Sequence, residues 1–257
     1  MFFEVEEGNG PVAAIVIHSG HELRDEVAQI MALDEAARLR EEDPYTGTWA
    51  TIVDNRIVVC YSRFEVDLNR SRDKAVYLKP EDAWGLETWR TQPSPGLITR
   101  SLERYDAFYA QVHRLCSRME KEHDHFVILD LHSYNHRREG PQGVPAEPDS
   151  NPEINVGTGT MNRERWASLV DRFIDDLRGF DYFGRHMDVR ENVKFWGGEL
   201  SRTIHEQFPR SGCVLAVEVK KFFMDEWSGT VDGKQLKEIG EALRGTIPGI
   251  LDELKKR

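Results

Sequence analysis

Three short apolar runs, each carrying a reactive side chain at or beside its carboxyl end, constrain this chain more than any other feature. Pro11-Val12-Ala13-Ala14-Ile15-Val16-Ile17 leads straight into His18. Phe126-Val127-Ile128-Leu129-Asp130-Leu131 leads into His132, and Cys213-Val214-Leu215-Ala216-Val217-Glu218-Val219 holds Glu218 near its end. Unbroken, β-branched apolar runs read as strands buried on both faces, the pattern of a parallel sheet. In open sheets of that kind, ligands bind beyond the carboxyl ends of the strands. If the three strands are neighbours, two imidazoles and a carboxylate meet at one sheet edge.

Helical spacing lies between the runs. It predicts helices over 22–42, 97–122, 162–178 and 234–255, and one that follows Gly197-Gly198 and ends before Pro209. Ile57-Val58-Val59-Cys60-Tyr61 and Val193-Lys194-Phe195-Trp196 read as further strands. Strands alternating with helices predict a layered α/β fold, largely parallel, with helices on both faces. No Pro/Gly/Ser linker divides the chain, so one domain over 1–257 is expected. The stretch 139–160 carries Pro141, Pro145, Pro148 and Pro152 and no apolar period. So long a structureless segment reads as a wall or lid over a site, or as a surface insertion.

Bulk properties narrow the partners. A formal net charge of -11 repels phosphate backbones and anionic membranes, so neither nucleic acid nor a membrane is expected. No apolar run approaches the roughly 20 residues needed to span a bilayer. The first residues lack the basic and apolar regions of a secretory signal. Cys60, Cys116 and Cys213 are odd in number and far apart, which excludes a disulfide framework and points to a reducing, cytoplasmic setting. Nothing in the sequence speaks to oligomeric state.

A catalytic zinc needs imidazole or carboxylate ligands and one position for water. His18 and His132 can supply the imidazoles. Glu42-Asp43, before Pro44, can supply the carboxylate, and Asp130 can brace His132. Gly20, in His18-Ser19-Gly20-His21, permits the tight backbone of a site. Each feature also has a plainer reading: loop histidines, a polar helix end, and the solvated face of an edge strand at Glu218 and Lys220. Arg63, Arg70 and Arg72 cluster after a strand and suit an acidic substrate, or ion pairs with Glu65 and Asp67. The sequence lacks G-x-S-x-G, Walker, G-x-G-x-x-G and H-E-x-x-H motifs.

In order along the chain stand Ile17-His18-Ser19-Gly20, Glu42-Asp43-Pro44-Tyr45-Thr46, Val66-Asp67-Leu68-Asn69-Arg70, Asp130-Leu131-His132-Ser133 and Val217-Glu218-Val219-Lys220. This set resembles the N-formylglutamate amidohydrolase family, which is similar to the zinc carboxypeptidases and aspartoacylases in fold. The resemblance runs from about Pro11 to Trp227. It implies an α/β, three-layer α-β-α fold with a central mixed, mostly parallel sheet, phosphorylase/hydrolase-like. It implies one zinc held by His18, His132 and either Glu42 or Asp43, Asn69 and Arg70 on a substrate carboxylate, and Glu218 as general base.

The implied activity is hydrolysis of a small carboxylate-bearing amide, N-formylglutamate or a related N-acyl amino acid. The rival readings are a zinc carboxypeptidase acting on peptides and a non-catalytic carboxylate-binding protein. Departures are Ile17 in place of the usual Pro, and His21 where the carboxypeptidase-like H-x-x-E spacing needs Glu. His21 is left as a fourth ligand, a support for a ligand, or a substrate contact beside Arg63. The stretches 191–200 and 222–227 look like features of a less characterised branch.

Overall fold

The computed structural model describes residues 1–257. Its strands are β1 (Phe3–Glu6), β2 (Val12–Val16), β3 (Asn55–Val59), β4 (Phe126–Tyr134), β5 (Ile154–Gly157), β6 (Val189–Glu191) and β7 (Gly212–Lys220). They form one seven-stranded sheet in the order β1-β3-β2-β4-β7-β5-β6. Pairing is parallel except at β1–β3 and β5–β7, so the sheet is mixed and mostly parallel. The three apolar runs are the adjacent central strands β2, β4 and β7, and β4 lies between the other two. Being central, they bury both faces, which is why their sequences do not alternate.

The helices are α1 (Asp25–Ala28), α2 (Glu35–Glu41), α3 (Pro95–His123), α4 (Ala167–Gly179), α5 (Glu199–Gln207) and α6 (Gly233–Leu254). One sheet face packs Ala14, Leu129 and Leu215 against α4, α6 and the 3-10 turn Thr46–Ile52. The other packs Ile15, Ile128 and Val214 against α3 and α5. The result is the expected α-β-α sandwich. A satellite cluster around Phe64, Tyr77 and Trp89 anchors the excursion between β3 and α3. No helix is long and apolar enough to cross a membrane. The three cysteines are free.

Three local expectations need correction. The single helix over 22–42 is two short helices. Between them Ile30 and Ala32 exchange backbone hydrogen bonds with Arg90 and Thr88, and Asp34 caps α2 by accepting from Ala37 N–H at 2.8 Å. Residues 193–196 are not a strand. The Asn155 side chain winds them into a loop, its Oδ1 accepting from Val193 and Lys194 N–H at 3.0 and 2.9 Å and its Nδ2 donating to the Phe195 carbonyl at 2.8 Å. The segment 139–160 is not structureless throughout, because Ile154–Gly157 is a buried strand beside β7.

Candidate metal and catalytic site

The sheet order brings the three polar groups together. His18 lies just beyond β2. β4 runs on to Tyr134, so His132 sits within the strand rather than after it, directly opposite Glu218 of β7. β7 is an interior strand, which removes the edge-strand reading of Glu218. Asp43 arrives from the end of α2. Pro44 disfavours helix at the preceding residue, so the chain turns extended there. Asp43 N–H donates to the His18 carbonyl at 2.9 Å, and Thr46 Oγ donates to the Asp43 carbonyl at 2.6 Å. Tyr45 follows in the left-handed region at φ 68°, a strained conformation for a bulky residue. Gly20 is required next to His18, since a Cβ there would lie 2.2 Å from the Cys60 backbone.

Carboxylates brace both rings from behind. His18 Nε2–H donates to Asp67 Oδ1 and His132 Nε2–H donates to Asp130 Oδ1, each at 2.8 Å. In the neutral tautomer that donates from Nε2, each ring would turn a bare Nδ1 into the pocket, the form a metal needs. Both Nδ1 atoms face the same oxygen, Asp43 Oδ2, at 3.5 Å from His18 and 3.0 Å from His132. The three candidate ligand atoms lie within 4.8 Å of one another, and all three residues are buried. Two imidazoles and a carboxylate converging in a buried pocket are a donor set that suits zinc. Burial by itself would raise the Asp43 carboxyl, but the two imidazoles hold it well below the usual carboxylate range.

The supporting carboxylates are themselves held. Asp130 Oδ2 accepts from Ser201 Oγ at 3.2 Å. Asp67 Oδ1 also accepts from Asn69 N–H at 2.8 Å, and its Oδ2 accepts from Arg63 Nη2 at 2.8 Å and from the Tyr77 hydroxyl. Such outer contacts fix ring orientation and raise ligand basicity. The sequence reading missed the bracing role of Asp67. Its one signal was an acid placed between the apolar Val66 and Leu68, both of which are buried.

Glu42 and Asp43 face opposite ways. Glu42 is turned from the histidine pair. Its Oε2 accepts from His21 Nδ1–H at 2.5 Å and its Oε1 from Ser62 Oγ, with Arg38 at 3.6 Å. His21 is spent on Glu42 and on Arg38, and it does not line the cleft. Asn69, Arg70, Arg63 and Glu218 do line it, with His18, Asp43 and His132, around a volume of about 240 Å³. Arg63 is largely committed, to Asp67, the Tyr77 hydroxyl at 3.2 Å and the Glu41 carbonyl at 3.3 Å. Arg70 is freer, with a side chain 40% exposed. Asn69 packs over Gly198, where a Cβ would fall 2.1 Å from its Oδ1. Burial pushes the Glu218 carboxyl up to about 7.

Lys221 went unnoticed in the sequence. It is fully buried, and its ammonium donates to the carbonyls of Arg40 and Glu42 at 2.6 and 2.7 Å and to Asn135 Oδ1 at 2.8 Å. Burial lowers its pKa to about 8. No residue of 139–160 lines the cleft directly. Its rim comes instead from Tyr134, Asn135, Arg138, Trp84 and Phe195.

Comparison with known proteins supports the same grouping. The crystal structure of an N-formylglutamate amidohydrolase from Ralstonia eutropha JMP134 superposes with a TM-score of 0.76 at 15% identity, covering 99% of this chain and 98% of that one. A gene product of Agrobacterium tumefaciens superposes with a TM-score of 0.70 at 15% identity, covering 98% and 96%. At that identity the likeness speaks for the fold alone. No protein of curated function matches the sequence. The family model for N-formylglutamate amidohydrolase matches residues 10–223, a span that holds every side chain of the cleft. The chain belongs to the N-formylglutamate amidohydrolase family.

Proposed function

We propose that the protein is a zinc-dependent amidohydrolase that cleaves a small carboxylate-bearing amide, N-formylglutamate or a related N-acyl amino acid. The observation that carries this reading is the convergence of His18 Nδ1, His132 Nδ1 and Asp43 Oδ2 in a buried pocket, beside Glu218. His18, His132 and Asp43 would hold the zinc, which supplies Lewis acidity toward the amide carbonyl and the attacking water. Arg70, with Asn69, grips the substrate carboxylate at the cleft rim. Glu218 takes the proton from water as it attacks the carbonyl carbon. It returns that proton to the leaving amine, which completes the hydrolysis. A carboxyl raised toward neutrality suits both halves of that transfer. The cleft volume of about 240 Å³ has room for a small amide.

Elemental analysis tests the metal, and kinetics test the base. The wild type is expected to carry about one zinc per chain, lost when His18→Ala and His132→Ala are combined. Glu218→Gln is expected to keep zinc and lose about 10²- to 10⁴-fold in turnover of N-acyl amino acids. A wild type that takes up no zinc would remove the hydrolase reading. Full turnover in Glu218→Gln would remove the assignment of the base. Faster cleavage of short peptides than of N-acyl amino acids would favour a carboxypeptidase.

A further inference from the structure

The cleft does not end at its rim. It adjoins a second chamber of about 270 Å³, and the two share Glu41, Trp84, Asn135 and Arg138 as walls. Two indoles, Trp84 and Trp227, face this chamber together with Leu86. Both indoles are held in place. Trp84 is 44% exposed and sits at φ 55°, in the left-handed region where a bulky side chain is strained. Its ring lies against the Arg63 guanidinium at 4.8 Å. Trp227 donates its Nε1–H to the Arg137 carbonyl at 2.8 Å and packs against the Arg40 guanidinium at 4.2 Å. The Trp84 ring meets the buried Tyr77 edge-on at 6.0 Å, yet it stays exposed in a strained turn at the mouth of the site, and strain of this kind gathers at ligand contacts.

The charges around the chamber are mostly satisfied internally. Arg40 and Arg138 both reach Glu41, at 3.3 and 3.2 Å. Glu226 Oε1 accepts the backbone N–H groups of His136 and Arg137 at 2.9 Å. What remains is the indole surface of Trp84 and Trp227 beside Leu86. Fixed indole faces favour a flat aromatic group over a flexible chain, because little conformational freedom is lost on contact.

We propose that this chamber binds an aromatic arm of the substrate, so that the substrate class is an aryl-bearing N-acyl amino acid. The proposal rests on the amidohydrolase reading for its catalytic half and on the chamber for its selectivity. The arm is carried either by the acyl group or by the amino-acid side chain, and both sources put the same flat ring in the chamber that Trp84 and Trp227 line.

Two compound series test it on protein loaded with zinc. One varies the acyl group on glutamate: acetyl, hexanoyl, 4-hydroxyphenylacetyl and indole-3-acetyl. The other varies the amino acid under an N-acetyl group: alanine, leucine, tyrosine and tryptophan. Turnover is measured in the wild type. Binding of the same compounds is measured by calorimetry in Glu218→Gln, so the chamber is read whether or not turnover occurs. In one series the aryl members are expected to bind at least about tenfold tighter than both the small and the aliphatic members. Trp84→Gly, which suits the positive φ, and Leu86→Arg are each expected to abolish most of that preference. Aryl members that bind no tighter in either series, or a preference that survives both substitutions, would overturn the proposal. Aryl-selective binding with no turnover would support the chamber and overturn the hydrolase reading. Turnover without aryl selectivity would do the reverse.

Discussion

Lys221 offers three N–H donors to three neutral acceptors, and two of these are the carbonyls of Arg40 and Glu42 at the end of α2. A cation at a helix C-terminus is favourable there. The contact also fixes the residue before Asp43 relative to Glu218, three positions from Lys221, and through Asn135 relative to His132. Lys221→Met keeps the length and removes the donors. It is expected to cost about 2–4 kcal/mol in urea unfolding, because buried carbonyls lose their partners. Zinc affinity, read by competition with a chelator, is expected to fall about 10- to 100-fold as Asp43 loosens. Unchanged affinity would mean that Asp43 needs no such tether. Asp130→Asn probes the other brace. With the negative charge behind His132 Nε2 removed, zinc affinity is expected to drop about tenfold at unchanged fold, checked by the same titration beside circular dichroism.

At the scale of elements, β5 is the piece that shapes the far wall. It pairs antiparallel with β7, with Asn155 opposite Glu218. From there the Asn155 amide gathers residues 193–195 into the loop that brings Phe195 to the cleft. Asn155→Ala is expected to destabilise by about 2–3 kcal/mol, near 1 kcal/mol for each lost hydrogen bond. The amides of Val193 and Lys194 should then exchange with solvent faster than those of β7. Equal protection would show that the loop holds itself.

The same elements explain what was legible. β2, β4, β7, α3 and α6 were readable because a long apolar run or a long helical period is a local property. Val193-Lys194-Phe195-Trp196 has strand composition, yet its backbone groups bond to a side chain 38 to 40 residues away. The break between α1 and α2 is likewise set by a remote partner, the segment at Thr88 and Arg90.

At the scale of the molecule, α5 is tied to the sheet through His205. Val214 N–H donates to His205 Nε2 at 2.9 Å, which places the ring proton on Nδ1, donated to Thr160 Oγ at 2.9 Å. A proton on Nε2 would break the first bond, and burial lowers the His205 pKa to about 4, from 6.5. The unfolded chain therefore takes up this proton more readily than the native one. The contribution is fully present above about pH 6.5 and is lost as the pH falls toward about 4. Between about pH 7 and about pH 5 the loss amounts to about 2 kcal/mol. Urea midpoints of the wild type should fall over that interval more steeply than those of His205→Gln, whose amide can make both bonds at either pH. Parallel slopes would remove His205 as the source.

The sequence by itself determined the layered α/β architecture, the central strands and the positions of His18, His132 and Glu218 near their carboxyl ends. Periodicity and apolar runs act over a few residues, and a strand end is a place along the chain. The choice of Asp43 over Glu42 as the carboxylate facing both imidazoles was decided only by the tertiary structure. So were the commitment of His21 to Glu42, the brace at Asp67 and the buried tether at Lys221. Each of these depends on which way a side chain turns when a distant segment arrives with a donor. Adjacent residues of equal charge and similar size carry no local sign of that direction.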